Sequence, residues 1–117
     1  MKSKKLGIMG GTFDPVHLGH LQTAKFIYEH LGLEKIIFVP AFIAPHKVGL
    51  EFAPAADRYR MTELATEPYP YFEVTDIELQ RSGVSYTYDT VMELKARYSE
   101  YEPVSYTHLR AHETDQY

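Results

Sequence analysis

Cysteine is absent from this chain of 117 residues, which excludes a disulfide framework, a thiolate zinc site and a cysteine nucleophile. That absence fits a reducing compartment, and the cytoplasm is the expected location. No Pro-, Gly- or Ser-rich linker and no block of like charge interrupts the chain, so one soluble globular domain is expected and not a disordered segment. Long apolar runs are missing too. The start, Met1-Lys2-Ser3-Lys4-Lys5, is basic like the front of a signal peptide, but Leu6-Gly7-Ile8-Met9 is too short for the apolar stretch that should follow. Nothing in the pattern spans a membrane, and no membrane partner is expected. A net charge of −4 is the wrong sign for a broad nucleic-acid face, so no nucleic-acid partner is expected. Any anionic ligand must be met by a local cluster of positive groups.

What is present is an alternation of short apolar runs and helical patterns. Leu6 to Met9 runs into Gly10 and Gly11, which predicts a short buried strand ending in a sharp turn. Apolar residues at Leu21, Ala24, Ile27 and Leu31 predict a helix over Leu18 to Leu31, stopped by Gly32. Lys35 to Val39 is β-branched and aromatic and is ended by Pro40, the pattern of a second buried strand. Pro54 to Thr66 reads as a second helix, with Met61, Leu64 and Ala65 facing inward. Tyr71 to Leu79 reads as a third strand. Asp89 to Tyr98 reads as a last helix with Val91, Leu94 and Tyr98 on one stripe and Thr87 or its neighbours as cap. Strands alternating with helices imply an α/β fold, a doubly wound parallel sheet.

The chemistry concentrates in Gly10-Gly11-Thr12-Phe13-Asp14-Pro15-Val16-His17-Leu18-Gly19-His20. Where a parallel strand ends and a helix begins, the first backbone N–H groups and the positive end of the helix dipole favour a phosphate. Gly10 and Gly11 let the backbone approach it, and Thr12 adds a hydroxyl donor. His17 and His20, three apart at the helix start, project from one face with the small Gly19 between them, so two donors meet one anion. A lone histidine there would read as a cap or a packed residue; a pair in this register favours a site. The glycines do not fit other phosphate fingerprints, because neither G-x-G-x-x-G nor G-K-[ST] follows the first strand.

The stretch GTFDPVHLGH resembles the H-x-G-H nucleotidyltransferase superfamily, whose members move a nucleotidyl group from a nucleoside triphosphate and release pyrophosphate. Val39 to Lys47, with its Pro45-His46-Lys47, and Ser85-Tyr86-Thr87-Tyr88-Asp89-Thr90 narrow the resemblance to the nicotinate-nucleotide adenylyltransferases. It takes in Arg58-Tyr59-Arg60-Met61 and runs from about Lys5 to about Tyr101. The resemblance implies a Rossmann-like nucleotidyltransferase fold, of which only the first half is expected. It implies transfer of AMP from ATP to nicotinate mononucleotide, giving deamido-NAD and pyrophosphate. His17 and His20 would be catalytic; Gly10, Gly11, Thr12, Phe13, His46 and Lys47 would hold ATP and its phosphates; Thr87 would hold the nicotinate nucleotide. Mg2+ would arrive with ATP, with no metal site of the protein's own. Arg58 and Asp89 read as structural, a helix-surface and a capping residue, and Tyr86 and Tyr88 are as easily core as ligand. Members often carry asparagine where this chain has Ala41 and proline where it has Ala44.

Alternatives stay open from sequence. A phosphopantetheine adenylyltransferase or a cytidylyltransferase would share the His17/His20 segment, and a non-catalytic nucleotide-binding fragment is a third possibility. After Tyr101 the periodicity stops, and the segment that includes Val104-Ser105-Tyr106-Thr107-His108-Leu109-Arg110 resembles the in-frame translation of a transposon-end sequencing adapter. Residues 1–102 are therefore expected to form an incomplete nucleotidyltransferase domain and 103–117 a non-native tail. On that division the fourth strand of a 3-2-1-4-5 sheet is missing, the first strand becomes an exposed edge, and the chain as given is expected to be inactive. Oligomeric state is not readable from these features.

Overall fold

A computed structural model describes residues 4–11, 13, 18–42, 54–81 and 87–105, with only the backbone described at Thr87 and Ser105. In chain order the elements are β1 (Lys4–Gly11), α1 (Leu18–His30), β2 (Lys35–Pro40), α2 (Ala55–Thr66), β3 (Phe72–Val74), α3 (Ile77–Arg81), α4 (Thr87–Arg97) and β4 (Tyr101–Ser105). The strands form one parallel sheet in the order β3-β2-β1-β4. β2 shows why the sheet is covered on both faces. Ile36 and Phe38 join Met9, Phe13, Ala24, Ile27, Leu33 and Phe72 in a core under α1. Ile37 and Val39, pointing the other way, join Leu6, Ile8, Ile77 and Leu94 in a second core under α3 and α4. Each such buried side chain stabilises by about 1.5–3 kcal/mol, so a one-residue slip of β2 would exchange both cores at once. This is the doubly wound parallel α/β architecture that the alternating pattern predicts.

The end of α1 is local chemistry. Gly32 adopts φ 63°, the left-handed conformation that glycine tolerates, and the Leu33 N–H donates back to the Tyr28 carbonyl at 3.4 Å. That reversal turns Leu33 into the core and leaves Leu31, expected on the inner face, half exposed.

Three other expectations are corrected. The third strand is shorter than Tyr71 to Leu79: after Val74 the Thr75 N–H donates to the Phe38 carbonyl, and Asp76 then starts α3 by accepting from both the backbone and the side chain of Gln80. Ile77 still reaches the core, but from a helix. On α2 the buried stripe is Arg58, Thr62 and Thr66, while Leu64 is exposed, so Arg58 is not a helix-surface residue. The hydroxyls of Thr62 and Thr66 are satisfied within the helix, each donating to a carbonyl four residues back at 2.8 Å, which makes a polar inner face tolerable.

The largest correction concerns the fourth strand, which is present. Lys4 to Ile8 of β1 pair in parallel with Tyr101 to Ser105, so β1 lies inside the sheet and is not an exposed edge. β4 crosses the expected boundary at 102. Pro103 is tolerated because, among the described residues, β4 is an edge strand, and an edge needs donors on one side only. Val104 packs on one core and Tyr101 on the other, the alternation a strand requires. A chain ending at Ser105 is therefore expected to remain monomeric and folded, whereas one ending at Glu100 exposes the β1 edge and aggregates in size-exclusion chromatography. Melting of both within about 2 °C of each other would show that β4 contributes nothing.

At the amino end of the sheet Lys35 Nζ donates to Glu73 Oε1 at 2.8 Å and the Tyr98 hydroxyl donates to Glu73 Oε2 at 3.2 Å. The hydrogen bond to Glu73 raises the Lys35 ammonium above its ordinary value against the cost of its burial, and burial, with the Glu73 charge, raises the Tyr98 phenol. Both groups hold their protons more tightly in the folded state, so their stabilisation is complete below about pH 10 and lost as pH rises through the folded values. Thermal melting followed from pH 7 to 11 is expected to stay level and then fall above about pH 10, with a shallower fall for Tyr98→Phe.

Candidate functional site

The carboxyl ends of β1 and β2 lie side by side, with Gly10 opposite Val39 and Gly11 opposite Pro40. Just past the ladder the Ala41 N–H donates to the Gly11 carbonyl at 2.8 Å, so the two strand ends leave the sheet tied together. The chain connects β1 to β2 and β2 to β3 on one side, and β4 returns on the other side of β1. β1 is thus the strand at which the sheet order reverses, the place where open α/β sheets bind ligands at their carboxyl ends.

The turn after β1 is shaped by Phe13. Its ring is buried, 5.6 Å from the Phe38 ring and edge-on to the His20 imidazole at 5.1 Å between centroids. A Cβ placed on Gly11 would meet Phe13 Cε1 and Cζ at 3.1 Å, so the ring occupies the space that any other residue at Gly11 would need. Phe13 itself has φ 51°, a conformation that costs a non-glycine residue on the order of 1 kcal/mol and that burial of the ring offsets. His20 stands in the first turn of α1, half-buried, with its ring orientation set by contact with Phe13.

Of the residues expected to form the site, Gly10, Gly11, Phe13 and His20 are brought together here. Thr12, His17, His46 and Lys47 lie outside the described residues, and Thr87 is described only as the first backbone position of α4. The Phe13 side chain is buried in the core and packs against Phe38 and His20. The start of α4 is held by a network in which Thr90 donates to Glu78 at 2.6 Å in the interior and the partly exposed Arg81 donates to Thr90 and to Glu93. Asp89 accepts from Arg81 through its backbone carbonyl, and Tyr88 is exposed. Among the described residues no group of three His, Cys, Asp or Glu converges to hold a metal ion, and no helix is long and apolar enough to cross a membrane.

Sequence reasoning missed Arg58. Its guanidinium, 1 % exposed, donates from Nη1 to the Ala41 carbonyl at 2.6 Å and from Nη2 to the Phe42 carbonyl at 3.0 Å. The available signal was its spacing with Thr62 and Thr66, a four-residue polar repeat on a helix whose apolar stripe is weak.

A family model described as cytidylyltransferase-like matches residues 8–114. The chain belongs to the cytidylyltransferase-like family. It is similar to the probable nicotinate-nucleotide adenylyltransferase of Desulfitobacterium hafniense, at 48% identity over 99 residues, 85% of this chain and 48% of the relative. A Thermoanaerobacter protein of the same name is 52% identical over 96 residues, 82% of this chain and 46% of the relative. The chain spans about half the length of the curated relatives it matches. The solved Plasmodium falciparum nicotinic acid mononucleotide adenylyltransferase complexed with NaAD superposes with a TM-score of 0.71 at 19% identity, covering 87% of this chain and 50% of that one. At that identity the likeness shows the fold, and it is the fold the sheet order describes.

Gly11→Ala tests this contact. The added methyl requires the Phe13 ring, packed against Phe38 and His20, to give by a few tenths of an ångström, an overpacking expected to cost about 1–3 kcal/mol in denaturant unfolding. Unchanged stability would show that the ring yields easily.

Proposed function

We propose that the chain carries the phosphate-binding half of a nicotinate-nucleotide adenylyltransferase, which transfers AMP from ATP to nicotinate mononucleotide and gives deamido-NAD and pyrophosphate. The observation that carries this reading is the carboxyl end of β1 at Gly10 and Gly11, with His20 packed over Phe13 at the sheet's reversal point, in a chain about half identical to relatives of that name. The attacking phosphate of nicotinate mononucleotide is already anionic, so the reaction needs no general base. Catalysis rests on alignment and on stabilising charge that grows on the phosphoryl oxygens. His20, with His17, would donate to those oxygens, the Gly10 and Gly11 backbone would let the triphosphate approach, and His46, Lys47 and Thr12 would complete the phosphate contacts. Thr87, at the start of α4, would meet the nicotinate nucleotide. Mg2+ would be carried by the phosphates and water of ATP, and no step is assigned to it. A cytoplasmic location suits these substrates. The nucleotidyltransferase domain is proposed to run through β4.

Half the length of the relatives is not represented here, so the 117-residue chain is expected to bind ATP weakly, in preference to CTP, and to turn over negligibly. A chimera that joins residues 1–105 to the remaining half of the Thermoanaerobacter relative is expected to release pyrophosphate only when ATP and nicotinate mononucleotide are both present. In that chimera His20→Ala should slow turnover by roughly a hundredfold, about 3 kcal/mol of lost charge stabilisation. Preference for CTP would favour a cytidylyltransferase, binding without turnover in the chimera a nucleotide-binding module, and robust synthesis by the 117-residue chain would refute its inactivity.

A further inference from the structure

We infer that Arg58 is a positioning residue for the phosphate turn, acting through Ala41 on Gly11. This rests on the functional reading above and adds to it a residue that the reading does not use. Ala41 is held from two directions: its carbonyl accepts from Arg58 Nη1 at 2.6 Å, and its N–H donates to the Gly11 carbonyl at 2.8 Å. Arg58 Nη2 also grips the Phe42 carbonyl at 3.0 Å, so one planar fork fixes two successive peptides as β2 leaves the sheet. The fork is itself fixed. Arg58 is buried on α2, its N–H donates to Pro54 at the helix start, its carbonyl accepts from Thr62, and the threonine hydroxyls of the same stripe are satisfied within the helix and do not compete for Ala41.

The consequence reaches Gly11 by a single residue. A Cβ at Gly11 would stand 3.1 Å from the Phe13 ring, so the glycine backbone runs close to that ring, and the Gly11 carbonyl is tied to Ala41. Backbone groups that bind a phosphate must be placed before the ligand arrives, since a misplacement of about 1 Å can cost a hundredfold. Arg58 supplies that placement from the β2 side. It also buries a permanent positive charge behind the end of β2 in a chain of net charge −4. Ala41 needs only its backbone for this, which suits an alanine.

Arg58→Lys in the 117-residue chain keeps the charge but cannot span both carbonyls. The variant is expected to melt within about 5 °C of the unsubstituted chain, with the Ala41 amide exchanging at least about tenfold faster while Ile37, central in β2, is unchanged. The dissociation constant for ATP is expected to rise about tenfold. A folded Arg58→Lys chain with Ala41 exchange or ATP affinity within about twofold of the original overturns the inference. If the variant does not fold, the unsubstituted chain decides: saturating ATP must slow exchange at Ala41 relative to Ile37, and no such slowing overturns the inference. Failure of the unsubstituted chain to bind ATP overturns the functional reading, and exchange at Ala41 in Arg58→Lys then decides separately whether the fork holds that peptide.

Discussion

The close approach of the Phe13 ring to Gly11 is the constraint on which this end of the molecule depends. A strand that ends in a turn can place its backbone near a ligand only if nothing fills the space, and here the space on the core side is filled by an aromatic ring instead of a Cβ. The ring also touches Phe38 of β2 and His20 of α1, so one side chain joins both strand ends and the helix start. The left-handed backbone at Phe13 is the cost, and the buried contacts of the ring hold it in place. The strand end, the Phe13 ring and the His20 imidazole are thereby set against one another by packing.

The sheet extends that rigidity sideways. With β1 flanked by β2 and β4, the turn rises from an interior strand whose alternate residues enter two separate cores. Polar side chains then fix what leaves the sheet. Arg58 holds the exit of β2, and Glu78, Arg81, Thr90 and Glu93 join α3 to the start of α4. Arg58 sets a buried guanidinium on two backbone carbonyls, and the partly exposed Arg81 sets one on the Thr90 hydroxyl, the Asp89 carbonyl and the Glu93 carboxylate; such bonds supply direction where apolar packing supplies only proximity. Lys35, Glu73 and Tyr98 sit at the opposite end of the sheet, away from the turn, and concern stability.

Much of this was legible without coordinates. The helix from Leu18, the stop at Gly32 and the buried β2 all follow from spacing over a few residues, and the family followed from segments of the same kind; the turn expected at Gly10 and Gly11 did not, since both glycines continue β1 against Val39 and Pro40. Where prediction failed, the deciding partner was distant in sequence. Ile77 was assigned to a strand because its apolar character fits either element, and the ladder to Phe38 that ends at Thr75 decides between them. The inner face of α2 was assigned to Met61, Leu64 and Ala65, yet the buried stripe is Arg58, Thr62 and Thr66, because the carbonyls of Ala41 and Phe42 wait there.

β4 marks the same boundary most clearly. Tyr101 to Ser105 carries a proline and too few residues for a periodicity to show, so it reads as the start of an irregular tail. Only the unpaired side of β1, about a hundred residues earlier in the chain, makes it a strand. The sequence by itself determined the strand-turn-helix segment, the alternation that builds a doubly wound sheet and the family, since these rest on neighbours within a turn or two of chain. Tertiary structure alone decided that β1 is interior, that Arg58 points inward and that His20 packs on Phe13, since each depends on a group that folding brings from elsewhere.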